Sequence, residues 1–374
     1  NQDLGLIYSP TPASAAAVFT SNRVKAAPVL LDAERIRQGR ARAVVVNSGN
    51  ANCCNGPQGM ADAREMTRRT AAELDIAEDE VLVASTGVIG VPLPMQTIAS
   101  ALPAAVQALS PTGFTDFAAS IMTTDRFAKT AAVSESLPDG GTFTIAAAAK
   151  GAGMIRPDMA TMLCFVCSDI QAPPDVLSEG LGRAVNRTFN RITVDGDTST
   201  NDTVILLANG VSGTVLETDA DRDRFTDVLT GILDRLARLM VKDGEGATKL
   251  IDVRVRGART RKEAMLAAET VAGSTLVKTA FFGEDANWGR IAAAVGRSGA
   301  EFDPDCLEIF FDDVRLVAAG RVCGPAAETA AAAVLKKNEI TVLIDLHTAG
   351  PGEASMLTCD LSLDYVKINS DYRS

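Results

Sequence analysis

The fold and the chemistry of this chain turn on one stretch, Lys150-Gly-Ala-Gly-Met-Ile-Arg-Pro-Asp-Met-Ala160-Thr161-Met-Leu-Cys-Phe165. An alanine-rich, strand-like run, Thr142–Ala149, leads into it, and a second strand-like run, Met162–Asp169, leads out. Gly151, Gly153 and Pro157 punctuate the loop between them. Thr161 therefore heads an apolar strand, directly after the small residue Ala160. These are the requirements of self-cleavage. The threonine hydroxyl attacks the preceding carbonyl and the ester hydrolyses. The freed α-amine then serves as base for the hydroxyl of an N-terminal threonine nucleophile. Taken alone, the pattern favours an ordinary strand threonine after a loop, since such loops are common.

Outward from this stretch, strand-like and helix-like segments alternate. Ala43–Asn47 is a β-branched run ending in the loop Asn47-Ser-Gly-Asn-Ala-Asn52. Gly59–Leu74 has helical composition, and Val81–Ser85 is a strand ending in Ser85-Thr-Gly87. The clearest helix runs from Asp223 to about Val241. Phe225, Val228, Leu229, Ile232, Leu233, Leu236, Leu239 and Met240 follow helical spacing, with Asp227, Asp234, Arg235 and Arg238 on the other face. Asp243-Gly244 stops it. Pro325 opens an alanine-rich helix ending near Lys336-Lys337, and Ile340–Asp345 follows as a strand. Short alternating elements predict an α/β fold of layered sheets and helices.

The 374 residues, 47% hydrophobic, suffice for a large core. The net charge of −11 and the lack of a lysine/arginine cluster argue against nucleic acid as a partner. No apolar run approaches the roughly 20 residues that span a bilayer, so no membrane segment is expected. The start, Asn1-Gln-Asp-Leu-Gly5, has neither a signal-peptide nor a transit-peptide pattern; it reads as the middle of a protein, with further residues expected before it. Seven irregularly spaced cysteines fit reduced thiols in a cytosolic, cytoplasmic protein. Cys164-Phe-Val-Cys167 lacks a second ligand pair for zinc and reads as part of a buried strand, its two cysteines facing opposite sides.

Familiar catalytic patterns are missing. There is no G-x-S-x-G, no Walker loop, no G-x-G-x-x-G after a strand and no metal-spaced His/Cys/carboxylate cluster, so neither metal nor cofactor is expected. The one histidine, His347, ends an apolar strand and reads as structural. Nucleophilic chemistry without a histidine base points back to Thr161.

The segment around Thr161 resembles the cleavage and nucleophile segment of the ornithine acetyltransferase (glutamate N-acetyltransferase) family. So do Phe19–Val29, Val46–Asn52, Ala84–Gly90, Met122–Asp125, Val194–Asp202, Asp243–Lys249, Gly283–Arg290 and Cys359–Tyr372, in order along nearly the whole chain. Two departures stand out. Arg126-Phe127-Ala128 occupies positions where a small or polar residue and then a proline are expected, and Cys53-Cys54 replaces small residues.

The resemblance implies an α/β/β/α sandwich of the self-processing acetyltransferase and aminopeptidase type. It implies an alpha chain 1–160 and a beta chain 161–374, with a smaller C-terminal α/β subdomain at roughly 250–374. The implied activity moves an acetyl group from N-acetylornithine to glutamate, ping-pong, through acetyl-Thr161, with acetyl-CoA as a possible second donor. Thr86 and Gly87 match the oxyanion-hole pair; on composition alone they form a turn. Thr124, Lys150, Glu245, Asn369 and Ser374 match substrate-binding positions. Lys150 suits the substrate carboxylate and Glu245 its ammonium, although either could equally be a solvated loop charge. With Asn369 and Ser374 in the binding set, the C-terminus is expected to fold back onto the site. Assembly as two alpha and two beta chains is implied as well. The alternative is a self-processed N-terminal-threonine amidase or aminopeptidase on the same fold, with water as acceptor.

Active protein is accordingly expected to contain two chains that separate between Ala160 and Thr161. Denaturing mass spectrometry reads this directly, and one intact mass from active enzyme would overturn it.

Overall fold

A computed structural model describes residues 3–138, 140–156 and 162–371. The Ala160–Thr161 junction and Ser374 lie outside the described residues. Among these residues the strands run β1 (Leu4–Phe19), β2 (Arg40–Asn47), β3 (Val81–Ser85), β4 (Lys129–Ser136), β5 (Thr142–Lys150), β6 (Leu163–Ser168), β7 (Ile192–Thr193) and β8 (Thr203–Ala208). They continue as β9 (Leu250–Ala258), β10 (Glu308–Phe311), β11 (Val314–Ala318), β12 (Arg321–Val322), β13 (Glu339–Asp345) and β14 (Gly352–Cys359). The chain divides into two compact units. One comprises the described residues up to Asn190 together with Asp197–Met240; the other comprises Arg191–Gly196 and the described residues from Val241.

The first unit holds a seven-stranded mixed sheet in the order β3-β2-β1-β8-β6-β5-β4. Ala43–Val46 of β2 and Val81–Ala84 of β3 are buried throughout, which is why they read as uninterrupted apolar runs. Odd and even positions face different partners. Val45 and Val83 pack with Leu31, Met66 and Leu102 of three helices. Val44, Val46 and Leu82 share a cluster with Phe117 and Phe165. The strand β6 is central, parallel to β8 and antiparallel to β5, with Leu163 opposite both Thr203 and Lys150. The strand β1 bridges two parts of the sheet. It pairs with β2 from Leu4 to Ser14, with an irregularity between Tyr8 and Ala13, and with β8 from Ser14 to Phe19. Pro10 and Pro12 sit in that irregularity, where a missing N–H costs no ladder bond.

The second unit holds a mixed sheet in the order β12-β11-β10-β13-β9-β14-β7. Its core joins Ile251, Val253 and Val255 of β9 and Ile340, Val342 and Ile344 of β13 to Ala264, Ala267, Ala268 and Val271 of the helix Arg261–Ala272. Alanines on that helix face let it sit close on the strands, and Thr260 caps its start by accepting from Glu263 N–H.

The α/β class is as the sequence predicts, and the boundaries move for local reasons. The helix expected from Gly59 begins at Gly56 because Pro57 presets its first turn. The helix expected over 223–241 spans Asp219–Lys242, with Phe225, Leu229, Leu233 and Leu236 buried. The ladder of β6 opens at Leu163 rather than Met162, whose N–H donates to Asp202 Oδ1 at 2.8 Å instead of to a neighbouring strand. Cys164 is buried and Cys167 half-buried, as the structural reading of the C-x-x-C requires. Burial raises both thiols, that of Cys167 to about 12, so neither is a ready thiolate.

Phe165 sits in the core cluster on one face of the first unit's sheet. It is 1% exposed and meets the Phe117 ring edge-on at 5.3 Å. Phe165→Ala is expected to cost about 3–5 kcal/mol in urea unfolding. A loss below about 1 kcal/mol would show that the surrounding shell collapses to fill the space.

Candidate functional site

Lys150 closes β5 after four alanines, and its side chain is only 2% exposed. A buried ammonium needs partners. Its Nζ donates to Thr123 Oγ1 at 2.7 Å and to Thr86 Oγ1 at 3.2 Å, and lies 3.8 Å from Asp125 Oδ2. Asp125 is the hub. Its Oδ1 accepts from Lys129 Nζ at 2.5 Å and from Gly151 N–H at 2.7 Å, while Oδ2 accepts from Thr123 N–H at 3.1 Å. Burial works to raise this carboxyl. The Lys150 and Lys129 charges, with the Lys129 and Gly151 hydrogen bonds, prevail and lower it to about 2. Thr124 sits half-buried between Thr123 and Asp125.

Thr86 follows β3 and is buried. Its hydroxyl accepts from Lys150, an ammonium that can only donate. Among the described residues that hydroxyl donates to nothing, so its proton is unspent. The same holds for the next donor along the chain, Gly87 N–H. Gly87 has φ +131, and a Cβ there would run into the backbone of Gly49 and Asn50, 2.6 Å from Gly49 O. Only glycine allows this approach. Two adjacent unspent donors, one backed by a buried cation, can receive a developing oxyanion.

Asparagines hold the two donors in place. Asn47 Nδ2 donates to Asn50 O at 2.9 Å, and its Oδ1 accepts from Ser85 Oγ at 2.6 Å. Asn50 Nδ2 donates to Val91 O at 2.8 Å, and Asn50 Oδ1 accepts from Asn52 N–H at 2.9 Å. From the head of β8, Asn201 Nδ2 donates to Ala51 O at 2.6 Å and Ser85 O at 2.8 Å. These bonds bring the ends of β2, β3 and β8 together.

In the second unit Glu245 and Asn369 meet, with Asn369 Nδ2 donating to Glu245 Oε2 at 2.8 Å. Glu245 lies in a loop pinned by Asp360, which accepts from Thr248 N–H at 2.8 Å and Lys249 N–H at 2.9 Å. Gly246 O accepts from Ser362 Oγ at 2.7 Å, at the start of the helix Leu363–Asp371 that carries Asn369. His347 ends beside carboxylates, its ring nitrogens 3.3 Å from Glu308 Oε2 and 3.6 Å from Asp345 Oδ1.

The sequence singled out Thr86, Gly87, Thr124 and Lys150 but gave no role to Asp125, Lys129, Asn201 or Asp202. The usable signal was charge placement, since lysines closing or opening alanine-rich strands must be buried and need a carboxylate. Both departures from the family pattern lie close by. The Phe127 ring stands 5.1 Å from Lys129 Nζ, a cation–π contact. Cys53 and Cys54 have their sulfurs 3.7 Å apart, beside the asparagine loop. Among the described residues no group of three or more His, Cys, Asp or Glu could hold a metal, and no helix is long and apolar enough to cross a membrane.

The family model described as the ArgJ family matches residues 1–374. The chain is 54% identical over its full length to the arginine biosynthesis bifunctional protein ArgJ of Geobacter sulfurreducens, covering 95% of that protein. It is 52% identical to the protein of the same name from Symbiobacterium thermophilum, again over the whole chain and covering 92% of that protein. Among solved structures, a chain of the ArgJ protein from Bacillus halodurans is 40% identical with a TM-score of 0.53; the match covers 56% of this chain and 98% of that one.

The charge cluster yields a stability test. Asp125→Asn removes the carboxylate that two buried lysines share and is expected to cost about 3–5 kcal/mol, measured by urea unfolding at neutral pH. The contribution of the wild-type carboxylate is full above its unfolded value, near 4, and is lost as pH falls towards its folded value of about 2. An Asp125→Asn variant as stable as wild type would mean that the two lysines find other partners.

Proposed function

The chain belongs to the ArgJ family, and on that premise we propose that it is an acyltransferase of arginine biosynthesis whose Thr161 carries an acetyl group from N-acetylornithine to glutamate. In the first half-reaction the Thr161 hydroxyl attacks the acetyl carbonyl while its α-amine takes the hydroxyl proton. The C–N bond breaks, the ornithine nitrogen takes that proton, and acetyl-Thr161 remains. In the second, the glutamate amine attacks the ester and leaves as N-acetylglutamate, and the hydroxyl is restored. Each half passes through a tetrahedral oxyanion.

One observation carries this reading: the unspent Thr86 hydroxyl and Gly87 N–H stand side by side, with the Lys150 ammonium donating into the hydroxyl oxygen. That charge polarises the O–H, making it a stronger donor towards an oxyanion. The buried Lys150 ammonium stands at the Thr86 hydroxyl, and a cation there favours the substrate carboxylate as well as the oxyanion. Thr124 adjoins this cluster. Glu245, held by Asn369, suits the ammonium of ornithine, and Ser374 completes the binding set.

Cleavage ahead of Thr161 makes residues 1–160 an alpha chain and 161–374 a beta chain. We infer assembly as two alpha and two beta chains; whether acetyl-CoA also serves as acetyl donor is read by an assay with acetyl-CoA and glutamate alone.

Thr86→Val keeps shape and removes the hydroxyl. In matured enzyme it is expected to lower kcat by about 10²–10³. Undiminished transfer would remove Thr86 from the mechanism. The assay is run with N-acetylornithine, with and without glutamate. Acetate release that glutamate does not redirect would point to an amidase.

A further inference from the structure

Asp202 precedes β8 and is completely buried. Its Oδ1 accepts from Met162 N–H at 2.8 Å. Its Oδ2 is also buried and, among the described residues, accepts no hydrogen bond. A half-satisfied buried carboxyl is costly, so its retention asks for a partner. Burial pushes the group well above the ordinary carboxylate range. The Met162 N–H, the Ser199 hydroxyl and the Lys150 charge offset this only in part.

The partner is indicated by the chain itself. Met162 N is joined to Thr161 N by three bonds, which set a span of about 4.3 Å at most. The Asp202 carboxyl thus holds the amide of the residue that directly follows the nitrogen which cleavage would convert from an amide into an amine.

We propose that Asp202 handles the proton of the Thr161 α-nitrogen, as the neutral acid during self-cleavage and as the carboxylate in the mature enzyme. This rests on Thr161 as the nucleophile. During cleavage the bond from Thr161 Oγ to the Ala160 carbonyl carbon forms and the Ala160–Thr161 C–N bond breaks. Asp202 gives its proton to the departing nitrogen and regains one from the attacking hydroxyl. Water then hydrolyses the ester to the Ala160 carboxylate and the free Thr161 hydroxyl. In the mature chain the neutral α-amine is the donor that Oδ2 lacks, and its lone pair stays available for the hydroxyl proton. During acetyl transfer Asp202 balances the ammonium formed when that amine takes the hydroxyl proton. Among the described residues, the charge acting on Asp202 is Lys150 from β5, with Asp125 and Lys129 behind it; Ser199 and the Met162 N–H also bear on Asp202.

Asp202→Asn separates proton handling from anchoring, because the amide oxygen can still accept from Met162 N–H. Freshly purified Asp202→Asn is expected to cleave about 10²-fold more slowly than wild type by mass spectrometry, in the range of general acid–base effects. The fraction that matures should show its rising pH–rate limb at lower pH, since the amine has lost an anionic neighbour. Wild-type cleavage together with an unmoved limb would reduce Asp202 to a backbone anchor and overturn the proposal.

An infrared comparison covers the case in which the variant misfolds. Uncleaved Thr161→Ala should show the C=O stretch of a buried protonated carboxyl that mature wild type lacks. Asp32, also buried and raised by burial, is common to both and cancels. Identical carboxyl bands would overturn the proposal. If wild type itself gave one intact mass and no acetyl-Thr161, the reading of Thr161 would fail instead, whatever Asp202→Asn did.

Discussion

Three charges are buried together at one point of the first unit, and the site is built around the need to balance them. Asp125 faces Lys129 and Lys150, all with side chains at 2% exposure or less. A buried charge that loses a partner is strongly penalised, so the three groups hold one another in place. Lys150 Nζ is therefore confined, and its confinement fixes the direction from which the Thr86 oxygen is approached. Gly151 N–H, bonded to the same carboxylate, anchors the entry to the loop before Thr161.

The asparagine loop does with neutral groups what this cluster does with charges. Gly49 and Gly87 lie at positive φ, as do Asn52 and Cys54, where a side chain is normally disfavoured. Such a backbone persists only if its surroundings hold it. Asn47, Asn50, Asn52 and Asn201 do so by satisfying the carbonyls and amides that the irregular path leaves exposed. Donors held this way need no reorganisation when charge develops, which is the main electrostatic advantage of an enzyme site over water.

The second unit uses a carboxylate for a different end. Asp360 is buried, and its oxygens take two successive backbone amides and the Thr248 hydroxyl, pinning the loop that presents Glu245. Tyr365 OH donates to Asp195 Oδ2 at 3.3 Å, holding the helix Leu363–Asp371 to the segment that follows β7. Asp195 lies far back in the sequence, so no local pattern reports this pairing.

The sequence by itself determined what depends on neighbours along the chain. Apolar runs marked Val81–Ser85 and Ala43–Asn47 as buried strands, helical spacing marked the long helix through Phe225 and Leu236, and the glycines and proline before Thr161 marked a loop. It also carried the long motifs by which the family is legible, Thr86, Gly87 and Lys150 among them. What it left undecided was which distant groups meet. Asp125 meets Lys150 and Gly151 at the end of β5, Asn201 joins β8 to β3, and Asp202 takes the amide of Met162 just ahead of β6. Those pairings arise from strand order and register, which bring residues dozens of positions apart within hydrogen-bond reach. A buried carboxyl gains its chemistry from whatever the fold sets beside it, and periodicity cannot report that.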